Sequence, residues 1–146
     1  MHKSVTIFTK DIELAAMLRE KLHEAGVDEV GIFFTEEAAN LPAIVKTEDI
    51  IAVDSRFLRT ADESVDFAKQ IRNMMFAGPL IALLPRADEP DEAAFRAADC
   101  DFVISGLPRC YPRKEGTASP CHTHMSGELA AIVSCLGRGQ PTRYLH

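Results

Sequence analysis

The residue whose type and position best suit chemistry is Asp54, which ends the apolar run DIIAVD (49–54). A strand that ends in aspartate can hold a carboxylate at the carboxyl edge of a sheet, where open α/β folds keep their sites. The alternative is a structural role, because aspartate is also common where a chain turns. The other reactive side chains, and the elements that carry them, decide between these interpretations.

A second group of reactive side chains forms no recognised site. One proline-rich stretch holds four potential metal ligands, Cys110, Cys121, His122 and His124. Their spacing, Cys-x10-Cys-His-x-His, matches no standard zinc pattern, so we expect ordinary loop residues and no metal. Cys100 and Cys135 are predicted to be small core residues. No Gly-rich phosphate loop and no nucleophile elbow occurs, which disfavours a nucleotide-binding enzyme or a hydrolase.

Length and charge narrow the class of protein. The chain has 146 residues and a net charge of −6. We expect one domain over residues 1–137, with a flexible tail at 138–146. The acidic balance argues against a nucleic-acid-binding role. No stretch approaches the roughly 20 apolar residues that span a bilayer, and the N-terminus does not resemble a signal peptide, so we expect a cytoplasmic protein with reduced thiols.

The elements that must position Asp54 alternate along the chain. Predicted strands are SVTIF (4–8), EVGIFF (29–34), DIIAVD (49–54), PLIALLP (79–85) and DFVIS (101–105). Predicted helices cover 11–26, 35–45, 63–75, 89–99 and 125–136. The strands are continuous apolar runs, which is typical of strands covered on both faces by helices. The pattern predicts an α/β fold: a flavodoxin-like, doubly wound five-stranded parallel sheet of order 2-1-3-4-5 in a three-layer sandwich.

Several local features sharpen this prediction. Asp11 is a candidate N-cap for the first helix and Gly26 a candidate stop, while Pro42 interrupts a weak second helix. The third helix carries a stripe predicted to pack, formed by Val65, Ala68, Ile71, Arg72 and Met75. The segment 106–123 is atypically long for a connection, and its prolines predict an irregular loop with few core contacts.

The order of elements and several strings resemble the response-regulator receiver domains of bacterial two-component signalling (CheY-like). DIIAVD resembles the family's phosphoacceptor strand. PLIALLPRADEPDEAAFRAADCDFVIS (79–105) resembles its fourth strand, fourth helix and fifth strand, and AADCDFVIS is close to the family's AGADDYL string. The resemblance covers roughly residues 4–105 and, more loosely, the final helix.

The resemblance implies a phosphorylation site of few groups. Asp54 corresponds to the phosphoacceptor, which family members combine with two acids after the first strand to hold Mg²⁺. A hydroxyl after the fourth strand and a lysine after the fifth neutralise the phosphoryl oxygens. In this sequence the acidic pair falls on Thr9 and Lys10, the hydroxyl on Leu84 and the lysine on Gly106.

Two charged neighbours could partly complete this degenerate site. We expect the Lys10 ammonium to sit near Asp54 and partly replace the metal, since a buried carboxylate needs a partner. The alternative sends Lys10 out to solvent on its flexible stem. Asp11 lies one position beyond the acidic pair, and we expect it to cap the first helix rather than reach the site. Mg²⁺ binding is therefore expected to be weak, and no other cofactor is implied.

The interpretation that follows is a pseudo-receiver: a non-enzymatic member of a two-component or phosphorelay pathway that acts through protein–protein contacts. The resemblance implies a histidine kinase, a phosphotransfer protein or a downstream regulator as partner, with a homodimer also open and no membrane contact. Its partner surface would include Phe95, Ala98, Val103 and the atypical segment 106–123. One alternative keeps true phosphorylation at Asp54, with Asp11 recruited to a relaxed metal site. Another is a flavodoxin-like enzyme or small-ligand domain that uses Cys or His from 106–123.

Overall fold

A computed structural model describes residues 3–85, 89–106 and 120–136. In chain order the elements are β1 (Ser4–Phe8), α1 (Ile12–Glu24), β2 (Glu29–Phe33), α2 (Leu41–Thr47), β3 (Ile50–Asp54), α3 (Ala61–Asn73), β4 (Leu80–Leu84), α4 (Glu89–Ala97), β5 (Phe102–Ser105) and α5 (Pro120–Leu136). The described strands form one parallel sheet of order β2-β1-β3-β4-β5, which confirms the predicted topology.

Burial along the strands follows from this order. Every residue of β1, β3 and β4 is buried, because these central strands are covered on both faces. The edge strands β2 and β5 are mostly half-buried. Continuous apolar sequence therefore marks the centre of the sheet, as expected for a parallel sheet between helical layers.

Each face of the sheet has its own hydrophobic core. One core joins α1 and α5 to the sheet and includes Leu14, Leu18, Leu129 and Val133. The other joins α2, α3 and α4 and is centred on aromatic rings, where Phe8 packs edge-on against Phe67 at a centroid distance of 4.9 Å. Helices on two faces of one sheet make the predicted three-layer sandwich.

Helices α1 and α2 both begin at a capping residue, but α2 begins at a different place from the one predicted. Asp11 caps α1 by accepting a hydrogen bond of 3.0 Å from the Leu14 N–H, as predicted, and Gly26 ends it with a φ of +91°. The second helix begins later than the predicted range of 35–45, at Leu41, and ends at Thr47. Asn40 caps α2, and Pro42 lies in its first turn instead of interrupting it. Proline suits that position, where a helix has no partner for the N–H.

Helix ends required further corrections. Met75 does not pack with the third-helix stripe: it follows α3 with a φ of +70° and is 85% exposed. Helix α5 begins at Pro120, so the last residues of the predicted loop 106–123 are helical. Residues 107–119 and the predicted tail at 138–146 lie outside the described part of the chain, and their predicted irregularity stays a prediction.

Arg72 joins the ends of α3 and α4 to the sheet. Its side chain is only 7% exposed and contacts the equally buried Asp101 carboxylate at 2.5 Å. It also donates hydrogen bonds to the backbone carbonyl oxygens of Phe76, Gly78 and Asp99. Asp101 in turn accepts from the Leu80 N–H, so one guanidinium fixes where β4 and β5 begin.

Candidate functional site

Strand register brings Thr9 and Asp54 together. Phe8 of β1 pairs with Val53 of β3, so the residues that follow them meet at the carboxyl edge of the sheet. Both polar side chains are buried, with Thr9 fully inaccessible and Asp54 1% exposed. A buried carboxylate without donors is costly, so its partners define what the site can do.

Protein donors engage both carboxylate oxygens of Asp54. The Thr9 hydroxyl donates to Oδ2 at 2.7 Å. The backbone N–H of Arg56 donates to Oδ1 at 2.8 Å, which closes a local turn two residues long. The two donors therefore satisfy both oxygens of the buried carboxylate within the fold.

The cation beside Asp54 is Arg56, which the sequence analysis did not identify. Its Nε lies 3.6 Å from Asp54 Oδ1, and its Nη2 lies 3.1 Å from Asp11 Oδ2. The arginine thus bridges a buried carboxylate and one that is 20% exposed. The only sequence signal was its position two residues after Asp54, inside the turn that Asp54 starts.

Lys10 lies at the rim of the site and does not replace the metal as expected. Its side chain is exposed, and among the described residues the ion pairs to Asp54 come from Arg56. Lys10 does line the same open cavity of about 260 Å³ as Asp11, Asp54 and Arg56. The alternative that sent Lys10 towards solvent describes this position better. Asp11 both caps α1 and reaches the site, although the cap alone was expected.

The remaining receiver positions offer no reactive group. Leu84, at the hydroxyl position, is fully buried at the end of β4. Gly106, at the lysine position, has no side chain, and its N–H donates to the Leu84 carbonyl at 2.8 Å. These positions therefore provide neither a hydroxyl nor an ammonium for a phosphoryl group above Asp54.

The groups around Asp54 do not fit Mg²⁺. The ion needs several oxygen ligands, usually with one or two carboxylates and water. Here the position of one metal-binding acid holds Thr9, whose hydroxyl hydrogen is directed to Asp54, and the guanidinium of Arg56 lies between Asp54 and Asp11. Among described residues, no group of three His, Cys, Asp or Glu side chains is arranged to hold a metal ion.

Two of the predicted partner-surface residues belong to the core. Phe95 on α4 is fully buried and Ala98, the residue after α4, is 3% exposed, and both pack in the core between the helices and the sheet. They cannot present side chains to a partner, so this prediction was wrong. Val103 is half-buried and lines an open groove of about 410 Å³ along β5, together with Arg96, Asp101, Phe102, Ile104, Ser105, His124, Glu128 and Ile132.

Of the two cysteines predicted to lie in the core, one is buried and the other is exposed. Cys100 is buried as predicted, and burial raises the pKa of its thiol to about 12. Cys135 is exposed on α5, which contradicts its predicted place in the core. Cys110 and the side chains of Cys121 and His122 lie outside the described residues, so their predicted role as ordinary loop residues stays a prediction. Across the described helices, no segment is long and apolar enough to cross a membrane.

No family model matches the chain, and no curated protein matches it in sequence. Solved structures do match in fold. A response regulator from Thermotoga maritima superposes with a TM-score of 0.69 at 15% identity, over 93% of this chain and 98% of that one. The receiver domain of Francisella response regulator 1452 gives 0.67 at 17% identity, over 95% and 100%. An orphan response regulator of H. pylori gives 0.65 at 12% identity, over 91% and 94%.

These likenesses show the fold. Within the described ranges, the strand order and the five helices are those of the flavodoxin-like receiver (CheY-like) domain. The coverage is nearly complete on both sides, so the likeness concerns the whole domain. Function has to be argued from the groups around Asp54, because one fold can carry many activities.

Proposed function

We propose that this receiver-fold protein acts in bacterial signalling through protein–protein contacts and does not accept a phosphoryl group on Asp54. The observation that carries the proposal is the state of that side chain. Both carboxylate oxygens of Asp54 receive protein hydrogen bonds, and Arg56 stands where incoming charge would need a metal. The fold supplies the context of signalling, and the site supplies the argument against phosphoryl transfer.

The electrostatic argument counts groups. Attack of a carboxylate on a phosphorylated donor brings negative charges together, so the site must supply positive charge and donors where charge develops. Leu84 and Gly106 leave two of those positions without a polar side chain. Loss of one preorganised donor costs roughly 10²–10³ in rate in another enzyme, and here several are absent together. We therefore propose that the domain binds a partner protein without transferring a phosphoryl group.

The groove along β5 is our proposed contact surface. Val103 and Phe102 line its floor and are half-buried, while Arg96 and Glu128 are exposed beside them. An apolar centre with a charged rim is typical of protein interfaces. The partner classes are a histidine kinase, a phosphotransfer protein, a downstream regulator or a second copy of this chain.

Incubation with acetyl phosphate and Mg²⁺, followed by intact-protein mass spectrometry, tests the proposal. We expect no phosphoryl adduct under conditions where a receiver with the full set of site residues is modified. A stoichiometric adduct that Asp54→Asn abolishes would overturn the proposal. As a second test, Val103→Glu and Asp54→Asn would be compared in affinity capture from native lysate. The partner should be lost with Val103→Glu and retained with Asp54→Asn.

One observation favours the rival function, true phosphorylation at Asp54. Asp11 reaches the site and places a second carboxylate beside Asp54, as a relaxed metal site would require. That carboxylate is bound to Arg56 in the structure, so the rival needs the arginine to leave. The acetyl phosphate experiment separates the two functions directly.

A further inference from the structure

We propose that Arg56 is a built-in counter-ion, which takes the place of the metal that receiver folds hold beside the phosphoacceptor. The inference deepens the proposed function and rests on it. It identifies what keeps the site closed to Mg²⁺: the guanidinium, and only secondarily the loss of an acid at Thr9. The observation behind it is the bridge from Arg56 to two carboxylates that belong to different elements.

The first argument is that Asp54 needs a counter-charge. An ionised carboxylate that is 1% exposed has lost nearly all contact with water. Hydrogen bonds from neutral donors offset part of that loss, and a nearby cation offsets more. Arg56 provides this cation 3.6 Å from the buried oxygen while remaining 34% exposed itself, so the arginine keeps part of its own hydration.

The second argument is the shape of the guanidinium. Its nitrogens are spread in a rigid plane, so one side chain can serve two separate acids. Here Nε lies near Asp54 and Nη2 reaches Asp11, so one side chain joins the two carboxylates. A lysine ammonium has a single nitrogen on a flexible stem and is less suited to bridge both, which agrees with the exposed position of Lys10.

The third argument is that the loop fixes Arg56 in this place. The backbone N–H of Arg56 is bonded to Asp54, and the next residue, Phe57, is fully buried among the aromatic rings of the core. The Phe57 N–H also donates to the Asp54 carbonyl at 2.9 Å. These contacts give the arginine side chain a defined backbone position beside the two acids.

The consequence is a site whose charge is balanced without metal. A divalent cation that approached Asp54 would meet the positive charge of Arg56 at short range, where repulsion in a partly buried site is strong. Removal of the arginine should therefore expose a latent cation site formed by Asp11 and Asp54. Such a site would not restore phosphorylation, because the positions of Leu84 and Gly106 would remain without polar side chains.

The test is a Mg²⁺ titration of the full chain followed by amide NMR. For wild type we expect shifts that do not saturate. For Arg56→Met we expect shifts centred on residues 9–11 and 54–56 that saturate within the concentration range where wild-type shifts stay linear, which corresponds to an affinity at least roughly tenfold higher than the limit for wild type. The matched control is Arg59→Met, which removes the same charge from an exposed position in the same loop and should behave as wild type. Equal affinity in wild type and Arg56→Met would overturn the inference.

A second measurement uses the wild-type chain, so that the inference can be tested even if Arg56→Met does not fold. Arg56 Nη2 donates a hydrogen bond to Asp11, so the Nη–H resonances of Arg56 should show hindered rotation that Mg²⁺ does not change, in contrast to those of the exposed Arg59. Rapid averaging of the Nη–H resonances in both residues would overturn the counter-ion role. The proposed function is judged separately, because the acetyl phosphate and affinity-capture experiments test it without the Arg56→Met variant.

Discussion

The hydroxyl of Thr9 and the carboxylate of Asp54 form a fully buried hydrogen bond of 2.7 Å that links the ends of β1 and β3. The contact spans 45 residues of sequence. In a receiver with a metal-binding acid at this position, two negative charges would face each other and need a cation between them. Here a neutral donor faces the carboxylate, so the pair is attractive without an added ion.

Replacement of Thr9 by valine should destabilise the fold. Valine has nearly the same shape but no hydroxyl, so Oδ2 of the buried Asp54 would lose a donor. We expect the free energy of unfolding to fall by about 1–3 kcal/mol, the cost of a buried polar group left without its partner. Urea denaturation measures it. Thr9→Ser keeps the hydroxyl and should retain more stability than Thr9→Val; the reverse order would contradict the role of the hydrogen bond.

The Arg72 contact should be the most sensitive ion pair among the described residues. Arg72→Met would leave the Asp101 carboxylate buried without its cation and three carbonyl oxygens without their donor. We expect a loss of about 3–5 kcal/mol in the free energy of unfolding. The matched control is Arg96→Met, which breaks an exposed pair with Glu92 and should cost less than about 1 kcal/mol. If the two variants lost similar free energies of unfolding, burial would not determine how much an ion pair stabilises the fold.

Met75→Gly should stabilise the protein. Met75 has a φ of +70°, where a Cβ atom is unfavourable, and its exposed side chain contributes little packing. We expect a gain of about 0.5–1 kcal/mol, since relief of the left-handed strain exceeds the added entropy of the unfolded chain. Met75→Ala removes the side chain but keeps the Cβ, and thermal unfolding should place it near wild type. A gain with alanine as large as with glycine would assign the effect to the side chain instead.

Cys100 should make stability depend on alkaline pH. Desolvation raises its pKa from 9.0 to about 12 in the folded protein. Between these values the unfolded chain has lost a proton that the folded chain keeps, so the free energy of unfolding falls as pH rises above about 9. Urea denaturation across this range should show a smaller fall for Cys100→Ala. Peptide-resolved alkylation should also modify the exposed Cys135 well before Cys100.

The sequence was most informative where one physical effect dominated. Continuous apolar strands such as DIIAVD and LIALL predict the layers, because strands covered by helices on both faces are apolar throughout. The strand order follows from the alternation of strands and helices together with the flavodoxin-like pattern. Asp11 was recognised as a cap because capping depends on three neighbouring residues. By contrast, family analogy predicts Phe95 and Ala98 on a partner surface, whereas the packing of α4 against the sheet turns both side chains into the core.

The counter-ion of Asp54 was missed for a different reason. Lys10 and Arg56 are both close to the site along the chain, and sequence spacing cannot distinguish which long side chain reaches it. The choice depends on the turn after β3, which Phe57 anchors in the core. Such a turn is a tertiary feature, since the aromatic rings that receive Phe57 come from distant elements.

Asp11 divides its two oxygens between a helix and a loop. Oδ1 accepts the Leu14 N–H inside α1, while Oδ2 contacts Arg56 beyond β3. If Arg56 swings outward, only the second contact breaks, and the first turn of α1 stays wound. Movement of Arg56 would therefore change the loop after β3 and leave helix α1 in place. Hydrogen exchange should show this in Arg56→Met as faster opening at residues 55–58 with an unchanged rate at the Leu14 amide.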